Sequence, residues 1–209
     1  MDFNEWEPIY ESILKDMGFS REGDEQAALI LSDMLTVSNN TGIFELEHLI
    51  KGKDILVCGN APVLRDELEL VNTDDLVIIA ADGAAAVLVD NDIVPDVIVT
   101  DLDGDIEKEI ISNQKGSVMV VHGHGDNIDK LEKYVPRLTK IIGSTQAAPL
   151  ENVYNFGGFS DGDRCVYLAK EFGAASITLI GFDFEDKDVN PIKKKKLKWA
   201  RLLIENIVP

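Results

Sequence analysis

Apolar positions along the chain follow two regimes. In the first fifty residues they recur at helical spacing: Trp6, Ile9, Ile13 and Met17 lie on one stripe that stops before Gly18, which predicts a helix closed by a glycine. Ser20 stands where it can cap a second helix, whose apolar set Ala27, Ala28, Leu31, Met34 and Leu35 again follows the 3.6-residue period. From Asp54 the pattern changes to short apolar runs at residues 55–58, 76–80, 97–100, 118–121, 141–142 and 177–180, separated by helix-length segments. Runs that are apolar on both faces need helices above and below them, so the pattern predicts an α/β fold: a doubly wound, mainly parallel, Rossmann-like sheet behind an N-terminal helical segment. The expected division is residues 1–53 for that segment and 54–209 for the α/β domain that carries the chemistry.

The tail closes the pattern with one more helix. Leu197, Trp199, Ala200, Leu202, Leu203 and Ile207 form an apolar stripe behind the run Lys193-Lys194-Lys195-Lys196. That basic run reads either as the solvated start of a surface helix or as a contact for phosphates.

Composition narrows the class of protein. At 209 residues, 45% hydrophobic and 28% charged, the chain can bury a core and has the balance of a soluble globular protein. The 20 basic against 38 acidic residues give a formal charge of −18, a field that repels nucleic-acid phosphates and argues against a general nucleic-acid binder. Cys58 and Cys165 are far apart and outside any CxxC pattern, so they read as small core residues rather than as a disulfide or zinc site. With neither a signal-peptide pattern at Met1-Asp2-Phe3-Asn4-Glu5 nor a long uncharged apolar stretch, a cytoplasmic protein without a membrane partner is expected.

In open α/β sheets ligands bind beyond the carboxyl ends of the strands, and here those ends are acidic. Asp82 and Gly83 follow the second run, Asp101-Leu102-Asp103-Gly104-Asp105 follows the third, and His122-Gly123-His124-Gly125-Asp126-Asn127 follows the fourth. Asp101 and Asp103 are two residues apart, so on an extended chain their side chains share a face. Two carboxylates about 4 Å apart repel by about 4 kcal/mol at an effective dielectric near 20, so such a pair is expected to hold a cation or keep a proton. Mg²⁺ suits hard oxygen ligands and leaves positions for water and phosphate. Helix capping is the competing role for Asp82, Asp105 and Asp126.

The stretch Ala81-Asp82-Gly83-Ala84, with residues 95–103 reading Pro-Asp-Val-Ile-Val-Thr-Asp-Leu-Asp, resembles the catalytic core of thiamine pyrophosphokinases. Together with residues 155–164, Asn-Phe-Gly-Gly-Phe-Ser-Asp-Gly-Asp-Arg, and with Ile180-Gly181-Phe182-Asp183, the chain more closely resembles the archaeal 6-hydroxymethyl-7,8-dihydropterin pyrophosphokinases, which share that core. Thiamine enzymes usually have a second glycine where Ala84 stands, a serine or threonine where Gly104 stands, and a C-terminal β-sandwich for which this sequence has no strand-rich tail.

The resemblance implies a diphosphotransferase that moves pyrophosphate from ATP to the hydroxymethyl group of a pterin and releases AMP, with Mg²⁺ as cofactor. It places Asp101 and Asp103 on the metal, with Asp82 and Asp126 as further ligands and Asp126 counted among the catalytic residues. Gly83, His122 and His124 would meet the nucleotide, and Arg164 would clamp its phosphates unless it only pairs with Asp161 or Asp163. Asp183 is placed to accept bonds from the pterin ring, with Asn155 and Phe156 as further substrate contacts; Phe159 or Phe182 could stack on the ring as Phe156 could, with core packing the competing role of all three. The implied partners are ATP and the pterin alcohol, and self-association stays open. Two other readings remain: the same enzyme chemistry on a different alcohol, and a non-catalytic nucleotide- or metal-binding module on the same sheet. A haloacid-dehalogenase-type phosphatase also shows a DxDG motif, but fewer than 30 residues separate Asp103 from Asp129, too few for that family's intervening motifs.

Overall fold

The computed structural model describes residues 1–37 and 42–208. Among them, β1 (Asp54–Cys58), β2 (Val77–Ala81), β3 (Val97–Thr100), β4 (Val118–Gly123), β5 (Ile141–Thr145), β6 (Val153–Tyr154) and β7 (Ser176–Ile180) form one sheet in the order β6-β5-β4-β3-β2-β1-β7. Every neighbouring pair is parallel. The doubly wound α/β arrangement expected from the apolar runs is therefore present.

Alternation along the strands divides the core in two. Leu56, Cys58, Ile78, Ala80, Ile98, Met119 and Val121 point to one face and are buried with residues of α2 (Arg21–Val37), α4 (Leu64–Leu68), α5 (Asp82–Asp90), α6 (Ile106–Gln114) and α7 (Ile128–Tyr134). Ile55, Val57, Ile79, Val97, Val99, Val118 and Val120 point to the other, under α3 (Phe44–Ile50), α8 (Asp161–Glu171) and α9 (Pro191–Glu205). Handedness explains the segregation. Right-handed crossovers that step from β1 to β5 in one direction lay α4 to α7 on one face, and the return from β6 to β7 runs the other way and puts α8 opposite.

The N-terminal helices pack into these layers. Ala27, Ala28, Leu31 and Leu35 of α2 belong to the first buried cluster. Trp6, Tyr10 and Ile13 of α1 (Phe3–Met17) are buried with Phe159, Tyr167 and Leu203 against α8 and α9. Asp2 caps α1 by accepting from the Asn4 N–H at 2.9 Å, and Gly18, at φ 72°, ends it with an N–H to the Leu14 carbonyl. Ser20 precedes α2 as expected, but its hydroxyl donates to the Glu22 carboxylate. Cys58 and Cys165 are free thiols in the core.

Local pattern missed two elements and cut a third short. β5 continues past the apolar pair 141–142 through Gly143, Ser144 and Thr145, which are held by pairing to β4 and β6. β6 has two residues and α3 seven, too few for either to show a period. The last helix starts at Pro191, ahead of the lysine run, with Asn190 as its cap accepting from the Lys193 N–H at 2.8 Å.

Candidate active site

The carboxyl ends of the strands open onto a cavity of about 900 Å³. β1 and β7, where the strand order reverses, lead into Gly59, Asn60, Ala61 and Pro62 on one side and Gly181, Phe182 and Asp183 on the other. β2 and β3 supply the floor, β4 leads into His124, Gly125 and Asp126, and Gln146 follows β5. Opposite stand Ser160, Asp161 and Arg164 at the start of α8, while α2 and α9 add Asp24, Lys193 and Lys196.

Asp82, Asp101 and Asp103 form the floor. Each offers a carboxylate oxygen, and these lie within 4.8 Å of one another, close enough for one ion. Helix capping is not what these side chains do: Asp82 is the first residue of α5 behind Ala81, and no side-chain cap bond is made at Ala81, Asp105 or Asn127. The route by which Asp101 and Asp103 meet also differs from the extended chain expected. Leu102 sits in the left-handed region at φ 64°, its side chain is buried, and its N–H donates to Thr100 Oγ1 at 2.8 Å. This turn folds Asp103 back, and its N–H donates to Asp82 Oδ2 at 3.1 Å, beside the Thr100 hydroxyl that donates to the same oxygen.

Gly104 is required by this close approach. A Cβ there would lie 1.7 Å from Asp82 Oδ1. Asp82 Oδ1 and Asp101 Oδ1 are both buried with no donor other than a neighbouring carboxyl, that of Glu109 for Asp82 and of Asp103 for Asp101, a crowding that a cation would relieve.

The electrostatics of the floor are dominated by crowding of like charge. Burial and the neighbouring Asp101 charge raise the Asp82 carboxyl to about 6, and the same two causes raise Asp103. Burial acts upward on Asp101 too, but the hydrogen bond with His124 and the field of Arg164 outweigh it and hold this carboxyl well below the usual range. His124 Nε2 is 3.2 Å from Asp101 Oδ2, and Lys130 Nζ is 3.7 Å from Asp103 Oδ2.

Three residues here escaped the sequence reading. Glu109 of α6 is fully buried below Asp82, and burial and the Asp82 charge raise it to about 9. Asp161 is pushed well above its ordinary value by burial and by Asp101. Gln146 is buried at the cleft wall. A glutamate in the pattern Ile-Glu-Lys-Glu-Ile-Ile reads as a surface helix position, and a lone glutamine carries no signal; Asp161 stood in a motif already singled out, where it was weighed only as a partner of Arg164.

The expected site residues are distributed unevenly. Asp82, Gly83, Asp101, Asp103, His124, Asp126, Arg164 and Asp183 all line the cleft. Asp126 is exposed at the rim, outside the close group of three. Arg164 is only 8% exposed and is more than a surface ion pair: Nη1 donates to Asp161 at 3.0 Å and Nη2 to Gln146 Oε1 at 3.1 Å. Lys193 and Lys196 of the basic run reach the cleft as well, with Lys196 Nζ 5.9 Å from the Phe159 ring centre.

His122, Asn155 and Phe156 do not reach the cleft surface. His122 points under α8, where its Nδ1 meets Ser144 Oγ at 3.1 Å, and burial and Arg164 hold its pKa well below the ordinary value. Asn155 spans the loop after β6, donating to the Ala147 carbonyl and accepting from the Gly157 N–H. Phe156 stacks on Tyr154 and meets Phe172 in the core. Of the three candidate ring contacts, Phe159 and Phe182 line the cleft, joined there by Phe184.

Fold and site together define an α/β protein with a cleft at the switch point of a parallel sheet, its floor lined by three carboxylates close enough to hold one ion. Residues 31–189 match the family model described as "MptE-like: 6-hydroxymethylpterin diphosphokinase MptE-like". Three relatives named 6-hydroxymethyl-7,8-dihydropterin pyrophosphokinase are similar over 98% of this chain: those of Methanocaldococcus jannaschii (40% identical, 95% of its length), Pyrococcus furiosus (44%, 94%) and Methanothermobacter thermautotrophicus (39%, 94%). The chain belongs to the MptE-like family. Among the described residues no helix is long and apolar enough to cross a membrane.

Proposed function

We propose that this protein transfers the terminal diphosphoryl group of ATP to the hydroxymethyl group of 6-hydroxymethyl-7,8-dihydropterin and releases AMP, with Mg²⁺ held by Asp82, Asp101 and Asp103. The carrying observation is that cluster of three carboxylates, with two buried oxygens that only neighbouring carboxyls serve, on the floor of the cleft of a chain so similar to named pyrophosphokinases. Mg²⁺, when bound, supplies positive charge to offset the phosphate oxygens.

The protein side of the reaction is binding and alignment. Arg164, Lys193 and Lys196 line the same cleft as the carboxylate floor and give an otherwise acidic protein the cations that a triphosphate needs. Asp183, at the end of β7, accepts from the N–H donors of the pterin, and Phe182 beside it offers a ring face. The substrate hydroxyl attacks the β-phosphorus, the bond from that phosphorus to the oxygen bridging to the α-phosphate breaks, and AMP departs with the bridging oxygen. Asp126, at the rim and outside the ion-binding group, receives the hydroxyl proton.

The test is product identity. With ATP, Mg²⁺ and 6-hydroxymethyl-7,8-dihydropterin the nucleotide formed is expected to be AMP, with thiamine inert in a parallel reaction. Formation of ADP, or no turnover with the pterin, would remove the proposal.

A further inference from the structure

The N-terminal helices contribute a polar side chain to the cleft wall. Asp24, in the first turn of α2, is 5% exposed and lines the cavity, and three donors from three separate parts of the chain converge on it. Tyr10 Oη of α1 and Gln146 Nε2 each donate to Oδ2 at 2.7 Å, and the Gly125 N–H donates to Oδ1 at 3.0 Å. Backbone contact accompanies these bonds: a Cβ on Gly23 would lie 3.1 Å from Gly125 Cα. α1 also grips Gln146 from its main chain, through Trp6 Nε1 to the Gln146 carbonyl at 2.9 Å.

Chemistry sets the direction of the Gln146 amide. An ionised aspartate only accepts hydrogen bonds and an arginine only donates them, so an amide lying between the two satisfies both in one orientation alone, with its NH₂ toward Asp24 and its oxygen toward Arg164. That is the arrangement found: Gln146 Nε2 goes to Asp24, and Gln146 Oε1 accepts from Arg164 Nη2. With Asp161 taking Nη1, the two acceptors fix the plane of the guanidinium.

We propose that Asp24 is a positioning residue for nucleotide binding, which aims Arg164 at the triphosphate by fixing the orientation of the Gln146 amide. The proposal rests on the triphosphate role given to Arg164 above. It assigns the segment ahead of the α/β domain a part in the site.

Asp24→Asn tests the relay at almost constant shape. An asparagine that turns its oxygen to the Gly125 N–H presents its NH₂ to Gln146. The glutamine then faces either a donor at position 24 or, once flipped, a donor at Arg164. The variant is expected to raise the ATP KM about tenfold, the size of one hydrogen bond to a charged group, and to leave the pterin KM unchanged.

The double variant Asp24→Asn with Gln146→Glu keeps the net charge and restores an acceptor for both neighbours, so its ATP KM is expected to return to within about twofold of the parent. Gln146→Glu alone sets two carboxylates against each other and is expected to be impaired. Gln146→Leu, which deletes the acceptor but leaves Asp24 its other two donors, is expected to show the same ATP-specific loss, and it carries the test if Asp24→Asn does not fold.

A parental ATP KM in the folded Asp24→Asn or Gln146→Leu variants would overturn the relay. So would a double variant whose melting temperature recovers while its ATP KM does not, since Asp24 would then serve stability alone. Arg164→Ala separates the two layers: if it too keeps the parental ATP KM, the triphosphate reading of Arg164 is what fails.

Discussion

Glu109 offers a test of the electrostatics that needs neither substrate nor metal. The side chain is fully buried beneath Asp82, neither oxygen has a donor from the surrounding protein, and the acid is raised from 4.5 to about 9, first by burial and then by the Asp82 charge. Above pH 4.5 the unfolded chain releases this proton while the folded protein keeps it. This group therefore destabilises the fold progressively as pH rises from 4.5 to about 9, and not below that window.

At about 1.36 kcal/mol per pH unit, three units up to pH 7.5 correspond to about 4 kcal/mol as an upper figure. Glu109→Gln keeps the shape and a donor for Asp82 but has no proton to lose, so it should remove this cost. In EDTA-containing buffer the variant is expected to unfold at the same temperature as the parent at pH 4. At pH 7.5 it should be more stable by up to about 4 kcal/mol, or on the order of 10 °C for a chain of this size. The assay is thermal or urea unfolding of both proteins across that range. A difference between them that does not change with pH, or a less stable variant at pH 7.5, would refute the reasoning.

Other outcomes follow from the same geometry. Asp103→Asn is expected to abolish AMP formation while shifting the melting temperature little, because this exposed side chain contributes charge to the site rather than packing; activity assay and melting curve together check it. Gly104→Ala should reduce AMP formation at least tenfold, since the added carbon would fall 1.7 Å from Asp82 Oδ1 and must displace that carboxylate. Chelation with EDTA should stop AMP release and added Mg²⁺ restore it; undiminished turnover in EDTA would exclude the ion from the three-carboxylate floor. Lys196→Ala should raise the ATP KM severalfold more than Lys194→Ala, because Lys196 lines the cleft and Lys194 does not, which steady-state kinetics at varied ATP would show.

Much of the architecture was legible before folding. Strands buried on both faces must be apolar throughout, and helices packed on one side must repeat near 3.6 residues, so the six longer strands and the long helices announced themselves. The carboxylates Asp82, Asp101 and Asp103 were also legible, since they sit directly after strand runs and an α/β sheet uses that edge for ligands. What local pattern lacks is any record of direction. His122 and His124 are two apart at the end of β4, yet the first, still in the strand, lies under α8 and the second, just past it, bonds Asp101 at the cleft floor.

Phe156 and Phe182 read alike in the sequence, as ring contact or core, yet Phe156 is core, whereas Phe182 sits at the cleft because Gly181, in the left-handed region at φ 72°, turns the chain there. By itself, then, the sequence determined the layers, the active edge and the acidic floor, because periodicity and strand-end position are properties of neighbours along the chain. The tertiary structure alone decided that Glu109 lies under Asp82, that Asp103 folds back onto Asp82, and that Asp24 reaches Gln146 across 122 positions. Those contacts join residues remote in sequence, and only the packing of helices against the sheet brings them within bonding distance.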